Sequence, residues 1–318
     1  MNIRLTFDIE VWCGGWQRLD EVFPSAFERY VYGRSAAGEF ALPRTLEILA
    51  QHGLQATFFV EPLFALRFGA HYLKIIVDLI RGAGQEVQLH LHPEWTDEIR
   101  PPLIERCGVK RQHLTYYDAS EQAALVARGK AMLQDAGAGA VEAFRAGSFA
   151  VNRDTLAALR QNGITVDSSV NCCYSISGAD LADLRERTSP FELDGVVELP
   201  VSVFVDGFGR WRPAQVGACS SAEFEQALQG AARLGTTEFV LVSHNFEMLR
   251  PGSSLPDRIV ERRFDRLCRV LAQHRSSWPC VGLGAIKPLP SAPLGRPRVS
   301  ALATVRRHAE QALRRLVG

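Results

Sequence analysis

Short apolar runs alternate with amphipathic helical segments, and this alternation limits the folds open to the chain more than any other feature. Leu42-Pro43 opens a helix that reaches His52 and stops at Gly53. Proline suits the first turn of a helix, and glycine suits the left-handed residue that closes one. Ala56 to Val60 is a buried strand, and a second helix runs from about His71 to Arg81 with Leu73, Ile76, Val77 and Ile80 on one stripe. Gly82 and Gly84 end that helix before the strand Glu86-Val87-Gln88-Leu89-His90-Leu91-His92-Pro93. Strands that alternate with helices pair in parallel, since a parallel pair needs a long crossover connection. At 318 residues, the chain has room for one α/β barrel or for two smaller domains.

The alternation continues toward the C-terminus. Helices are expected from Ala119-Ser120 to Ala136, from an Asn152 cap to Asn162-Gly163, from a Ser221 cap to Leu234, and from Asp257 to His274. Strands are expected at 141–145, 164–169, 196–205 with an interruption at Pro200, and 238–244, with Val281 to Gly284 as a last strand. Residues 11–41 and 93–118 show no clean period, and each directly follows a strand, where substrate loops sit. Pro288, Pro290, Pro293 and Pro297 mark a linker. Ala303 to Val317 then forms a short helix with Arg306, Arg307, His308, Arg314 and Arg315. It reads either as a helix that packs its leucines on the body or as an amphipathic foot on an anionic membrane surface.

Side chains alternate along a strand, so residues two apart share a face. The N-terminal strand, Ile3 to Glu10, thereby delivers Asp8 and Glu10 together at its C-terminal end, and the strand from Glu86 delivers His90 and His92. Two histidines and a carboxylate make the donor set of a catalytic zinc centre with one position left for water. Arg145, Asp167 and His244 stand at the ends of later strands. In a (β/α) barrel that edge gathers catalytic groups from remote parts of the chain. Any one of these residues alone reads equally as a satisfied polar group; their accumulation at strand ends points to a site.

The overall charge narrows the partners. Thirty-six basic against 35 acidic residues leave a net charge of +1, and no basic patch interrupts the body, so no nucleic-acid partner is expected. No run approaches the length of a membrane span, and the N-terminus enters a strand directly, so a cytoplasmic location is expected. Seven cysteines without C-x-x-C spacing fit reduced thiols.

With these residues in view, the chain resembles the polysaccharide deacetylase family, also called NodB-homology or carbohydrate esterase family 4 proteins, over roughly residues 2 to 290. Thr6-Phe7-Asp8 resembles the family's first motif, with Ile9 in place of its second aspartate and Glu10 two positions after Asp8. His90-Leu91-His92 is a shortened form of its His-x-x-x-His motif. Phe144-Arg145-Ala146-Gly147 resembles the third motif and Leu241-Val242-Ser243-His244 the last. The resemblance implies an α/β fold, a distorted (β/α)7-type barrel over 1–290, followed by the proline-rich linker and basic helix of 291–318. It implies removal of an acetyl group from a sugar with a divalent metal, Zn2+ being expected. Asp8 would be the base, Arg145 would orient it and His244 would be the general acid, while Glu10, His90 and His92 would hold the metal, with Glu94 as the fallback third ligand. Asp167 or Asp206 would support His244.

Amide hydrolysis needs a nucleophile, a stabiliser for the developing oxyanion and an acid for the amine. A zinc ion would lower the pKa of its water toward about 7. Trp12, Trp16 and Trp95 lie in the long loops next to the metal strands, where flat apolar faces suit a sugar ring, and Asn245 beside His244 is counted with the substrate contacts. The expected substrate is an acetamido sugar, nucleotide-linked or lipid-linked, used in surface polysaccharide or lipopolysaccharide assembly, with peripheral membrane contact through the basic helix. Two rivals stand beside this reading: another metal-dependent amidohydrolase or deformylase acting on a carried sugar, and a non-catalytic carbohydrate-binding protein on the same fold.

Overall fold

The structure, a computed structural model, describes residues 1–105, 108–174, 187–283, 286 and 295–317. In chain order the first half contains β1 (Asn2–Ile9), α1 (Leu19–Phe27), β2 (Arg34–Ser35), β3 (Gly38–Glu39), α2 (Leu42–His52), β4 (Thr57–Val60), α3 (Phe64–Phe68), α4 (Ala70–Gly82), β5 (Glu86–Leu91) and α5 (Ala119–Asp135). There follow β6 (Ala143–Ala146), α6 (Arg153–Gln161), β7 (Val166–Asp167), β8 (Phe191–Leu193), β9 (Val196–Glu198), β10 (Val203–Val205), β11 (Trp211–Pro213), α7 (Ser221–Arg233), β12 (Glu238–His244), α8 (Arg258–Gln273) and α9 (Ala301–Val317). The chain divides into two compact units, one of residues 1–56, 203–281 and 295–318, the other of 57–202 and 282–294.

In the first unit β1 pairs in parallel with β12, in a register that sets Asn2 beside Glu238 and Asp8 beside His244. Ile3, Leu5, Phe7 and Ile9 are buried, and so are the alternate residues Arg4, Thr6 and Asp8. A strand covered on both faces cannot leave a charge unanswered. Arg4 accordingly meets Glu238 at 2.7 Å, and the Thr6 hydroxyl donates to the Leu241 carbonyl at 2.7 Å. In the second unit the order is β4, β5, β6, β7, β9, with β8 antiparallel at the edge. Its register places His90 beside Arg145, Phe144 beside Asp167 and Asp167 beside Glu198.

Helix α2 has the expected bounds and ends on Gly53 in the left-handed region. Asn152 caps α6 as expected, and α8, expected to begin at Asp257, begins one residue later with Asp257 as its cap. Three expectations are corrected. The cap of α7 is Ser220 rather than Ser221, because Glu223 closes a reciprocal pair with it. Residues 11–41 are not a bare loop: Leu19, Phe23, Ala26 and Phe27 give α1 a buried stripe, with Pro24 inside it. No strand forms at 281–283; Cys280 makes one bridge to Ile3. Gly284, Cys107, Pro288, Pro290 and Pro293 lie outside the described residues.

Of the two readings of helix α9, the one that packs its leucines on the body is corrected. Its buried side chains include Arg307, while Leu302, Val305 and Leu313 are about half or more exposed. Arg307 donates to Glu223 and Asp206, each at 3.0 Å, and Arg314 donates to Asp257 at 2.6 Å. Polar residues recur on the inner side of this helix, so ion pairs rather than leucines hold it.

Candidate active site

In the first unit the parallel register brings Asp8 next to His244, with His244 Nε2 4.0 Å from Asp8 Oδ2. The other ring nitrogen, Nδ1, lies 3.0 Å from Glu247 Oε1. A carboxylate only accepts, so Nδ1 carries a proton and Nε2 faces Asp8. Glu247 is itself fixed, since its two oxygens also accept from Gln215 Nε2 at 2.6 Å, the Gly217 amide at 2.5 Å and Ser243 Oγ at 3.0 Å. Burial alone would favour the neutral imidazole. The Glu247 hydrogen bond and the charges of Glu10, Glu247 and Asp8 outweigh it and raise the His244 pKa to about 9. The ring is poised to give a proton.

Glu10, buried just beyond β1, has its Oε2 held at 2.6 Å by Trp12 Nε1. Trp12 meets Trp16 edge to face, with ring centroids 6.4 Å apart. Asn245 does not offer its amide to a ligand. Its Oδ1 accepts from the Glu10 amide at 3.2 Å, and its Nδ2 donates to the Glu10 and Tyr30 carbonyls at 3.0 and 2.6 Å. The residue counted with the substrate therefore clamps the backbone that carries Glu10.

In the second unit His90 and His92 leave the end of β5 on one face, with ring centroids 4.9 Å apart. His90 Nδ1 lies 2.8 Å from the Arg145 carbonyl, which can only accept, so Nδ1 donates and the lone pair belongs to Nε2. His92 Nδ1 faces Glu94 Oε1 at 3.4 Å, a longer contact of the same sense. Backbone carbonyls and carboxylates behind an imidazole are how metal-binding histidines are oriented. Glu94 thus stands behind His92. A Cβ on Gly147 would lie 2.7 Å from His92 Cε1 and from the Leu91 carbonyl, so only glycine leaves the ring its place. Among the described residues, Glu10, His90 and His92 could each offer one ligand atom to a metal ion.

Arg145 is fully buried, donates from Nε and Nη2 to the carbonyl and hydroxyl of Ser168, and lies 4.4 Å over the Phe59 ring. Its charge is answered by the neighbouring acids Asp167 and Glu198. Both are buried; burial and their mutual repulsion push Glu198 well up, and burial raises Asp167. Burial and mutual repulsion disfavour charging both carboxyls at once. Asp167 also accepts from Ser169 Oγ at 2.5 Å. Asp206, the other acid considered for His244, accepts instead from Arg307 and Arg212. The carboxylate on His244 is Glu247, three residues after it in the sequence.

Trp95 is 1% exposed and sits edge-on to Phe64 and Phe68. It seals the loop after β5 and presents no face to a sugar. Glu61, which follows β4, is a further buried acid that sequence reading missed. Burial pushes its pKa up to about 8, against the pull of the Leu63 and Phe64 amides and of His92. Its position one residue past a strand was the available signal.

Residues 34–166 match the model of the polysaccharide deacetylase family. No curated protein matches this chain in sequence. Among solved structures, a candidate polysaccharide deacetylase from Mycobacterium smegmatis is similar at 19% identity, with a TM-score of 0.54 over 90% of this chain and 94% of that one. The 4-alpha-glucanotransferase of Thermococcus litoralis is similar at 11% identity, with a TM-score of 0.51 over 89% of this chain and 39% of that one. Likeness at these identities speaks for the fold, a (β/α) barrel of the NodB type, and leaves function to be argued from the residues. Over residues 34–166, then, the chain is similar to the polysaccharide deacetylase family.

Proposed function

We propose that this protein is a metal-dependent hydrolase that removes the N-acetyl group from an acetamido sugar, releasing acetate, in surface polysaccharide or lipopolysaccharide assembly. The observation that carries the reading is the pair of imidazoles at the end of β5, whose Nδ1 atoms face the Arg145 carbonyl and Glu94 and which can each offer a ligand atom to an ion. Glu10, with one oxygen held by Trp12, is the third donor. Two imidazoles and one carboxylate suit Zn2+.

A bound ion would supply a Lewis acid for the acetyl carbonyl and a water of lowered pKa. The chain's own residues divide the remaining work. Asp8 takes the proton of the attacking water, and Arg145, fixed by Ser168, is assigned the positioning of that base. His244, held charged by Glu247, gives a proton from Nε2 to the sugar nitrogen as the carbon–nitrogen bond breaks. Asp167, beside Glu198, balances the charge of Arg145, and the support of His244 passes to Glu247.

No helix among the described residues is long and apolar enough to cross a membrane. A cytoplasmic protein resting on the inner face of a membrane fits α9, whose exposed Leu302, Val305 and Leu313 lie beside the exposed Arg306 and Arg315. Anionic vesicles should then retain the full chain more than neutral ones do, and equal partitioning removes this contact.

The direct test is acetate release from a panel of acetamido sugars by zinc-loaded protein, beside Asp8→Asn. Release from one sugar class, lost about 10²-fold or more in the variant, upholds the deacetylase. Formate release from formamido sugars in place of acetate favours the deformylase. Sugar binding without release of either acid favours the binding protein.

A further inference from the structure

Beside His244 the first unit holds a cavity of about 470 Å³, which no step above uses. Its wall carries His244 and three arginines, Arg29, Arg250 and Arg314. One carboxylate, Glu247, lines it, and that side chain is turned to His244, Gln215, Gly217 and Ser243. Arg314 is anchored by Asp257 at 2.6 Å and by the Gly217 carbonyl at 3.2 Å, so its charge is fixed at the wall. Arg29 lies 4.6 Å over the Tyr30 ring, and Tyr30 meets Phe246 edge to face at 5.4 Å. The cavity thus brings the Tyr30 and Phe246 rings together with three guanidinium groups.

Resting on the deacetylase reading, we propose that this cavity receives a diphosphate on the sugar substrate, which makes the substrate an activated, diphosphate-linked acetamido sugar rather than an uncharged polymer. Guanidinium forks match phosphate oxygens two at a time, and a ring of arginines with one committed acid favours a multiply charged anion. The volume falls in the range of small-ligand sites, roughly 300 to 1,000 Å³. The chemistry of the substrate fits the wall as well. In a sugar with an acetamido group on C2 and a diphosphate on C1, the amide nitrogen and the anion sit on neighbouring carbons. A wall that presents a proton donor and guanidiniums side by side answers both.

The test is calorimetric binding of inorganic pyrophosphate to the full-length protein at low salt, for wild type and for the double variant Arg29→Met, Arg250→Met, whose fold is checked by circular dichroism. Methionine keeps an apolar stem and removes the charge. We expect binding to wild type that weakens at least tenfold in the variant and fades as salt is added. Pyrophosphate that fails to bind wild type overturns the proposal. So does pyrophosphate bound equally by both proteins, which is how an ion would hold it. Uridine diphosphate and farnesyl diphosphate, titrated in the same way, separate a nucleotide carrier from a lipid carrier. Either one bound through these arginines upholds the diphosphate. Because the readout is binding, arginine-dependent binding without acetate release would count against the deacetylase and not against the cavity.

Discussion

Gly147 shows how a single residue sets the geometry of another. It follows Arg145 by two residues and leaves the space in which the His92 ring lies. Gly147→Ala should displace that ring and press on the Leu91 carbonyl, so in protein whose fold is checked by circular dichroism zinc affinity should fall tenfold or more, in the range seen when support around a metal ligand is lost. Competition with a chelator measures it, and unchanged affinity would mean that His92 does not hold the ion. Glu247 is tested through His244. If it keeps the imidazole charged and aimed, Glu247→Gln should cut kcat by about 10²-fold or more with little change in KM. A variant that changed only KM would place His244 in binding rather than in proton transfer. The same pair gives a pH signature. His244 titrates near 9 in the folded chain against 6.5 for an unperturbed imidazole. A group whose pKa is raised by folding stabilises fully below its unfolded value and loses that contribution as pH climbs through its folded value. The metal-free protein should therefore lose stability between about pH 6.5 and 9, by up to about 3 kcal/mol at 1.36 kcal/mol per unit. Denaturant melts should show that limb flattened in Glu247→Gln, and identical limbs would detach the shift from this contact.

At the scale of elements, what was legible in the sequence was what local rules decide. The bounds of α2 followed from Pro43 and Gly53, the cap of α6 from Asn152, and the shared faces of Asp8 with Glu10 and of His90 with His92 from the period of a strand. Partners set by register were not legible. Asp167 beside Glu198 is a pairing of two strands some thirty residues apart, and nothing in either short segment announces the other. Glu247 was missed for a different reason: a turn after β12 folds it back on His244, and turns carry no period. For helix α9 the reading that turned its leucines inward failed, because Arg307 is buried there and answered by Glu223 and Asp206. Breaking such a pair by removing one partner leaves charge buried, at a cost of about 3 to 5 kcal/mol. Arg307→Met should lower the melting temperature by many degrees and expose α9 to proteolysis. A variant as stable as wild type would show that α9 is held by something other than these ion pairs.

At the scale of the molecule, the alternation of strands and helices and the chemistry at strand ends led to the same conclusion as the family match over residues 34–166. The fold alone would not have sufficed, since a glucanotransferase shares it. The central claim is the proposed one, that Glu10, His90 and His92 are the residues that hold a metal ion. It is tested most directly by elemental analysis of protein purified without a metal-affinity tag, beside Glu10→Ala, His90→Ala, His92→Ala and Glu94→Ala. The account predicts about one zinc per wild-type chain, lost in the first three variants and kept, at weakened affinity, in Glu94→Ala. A full equivalent retained without His90 and without His92, or wild-type protein that takes up no metal on reconstitution, would contradict it.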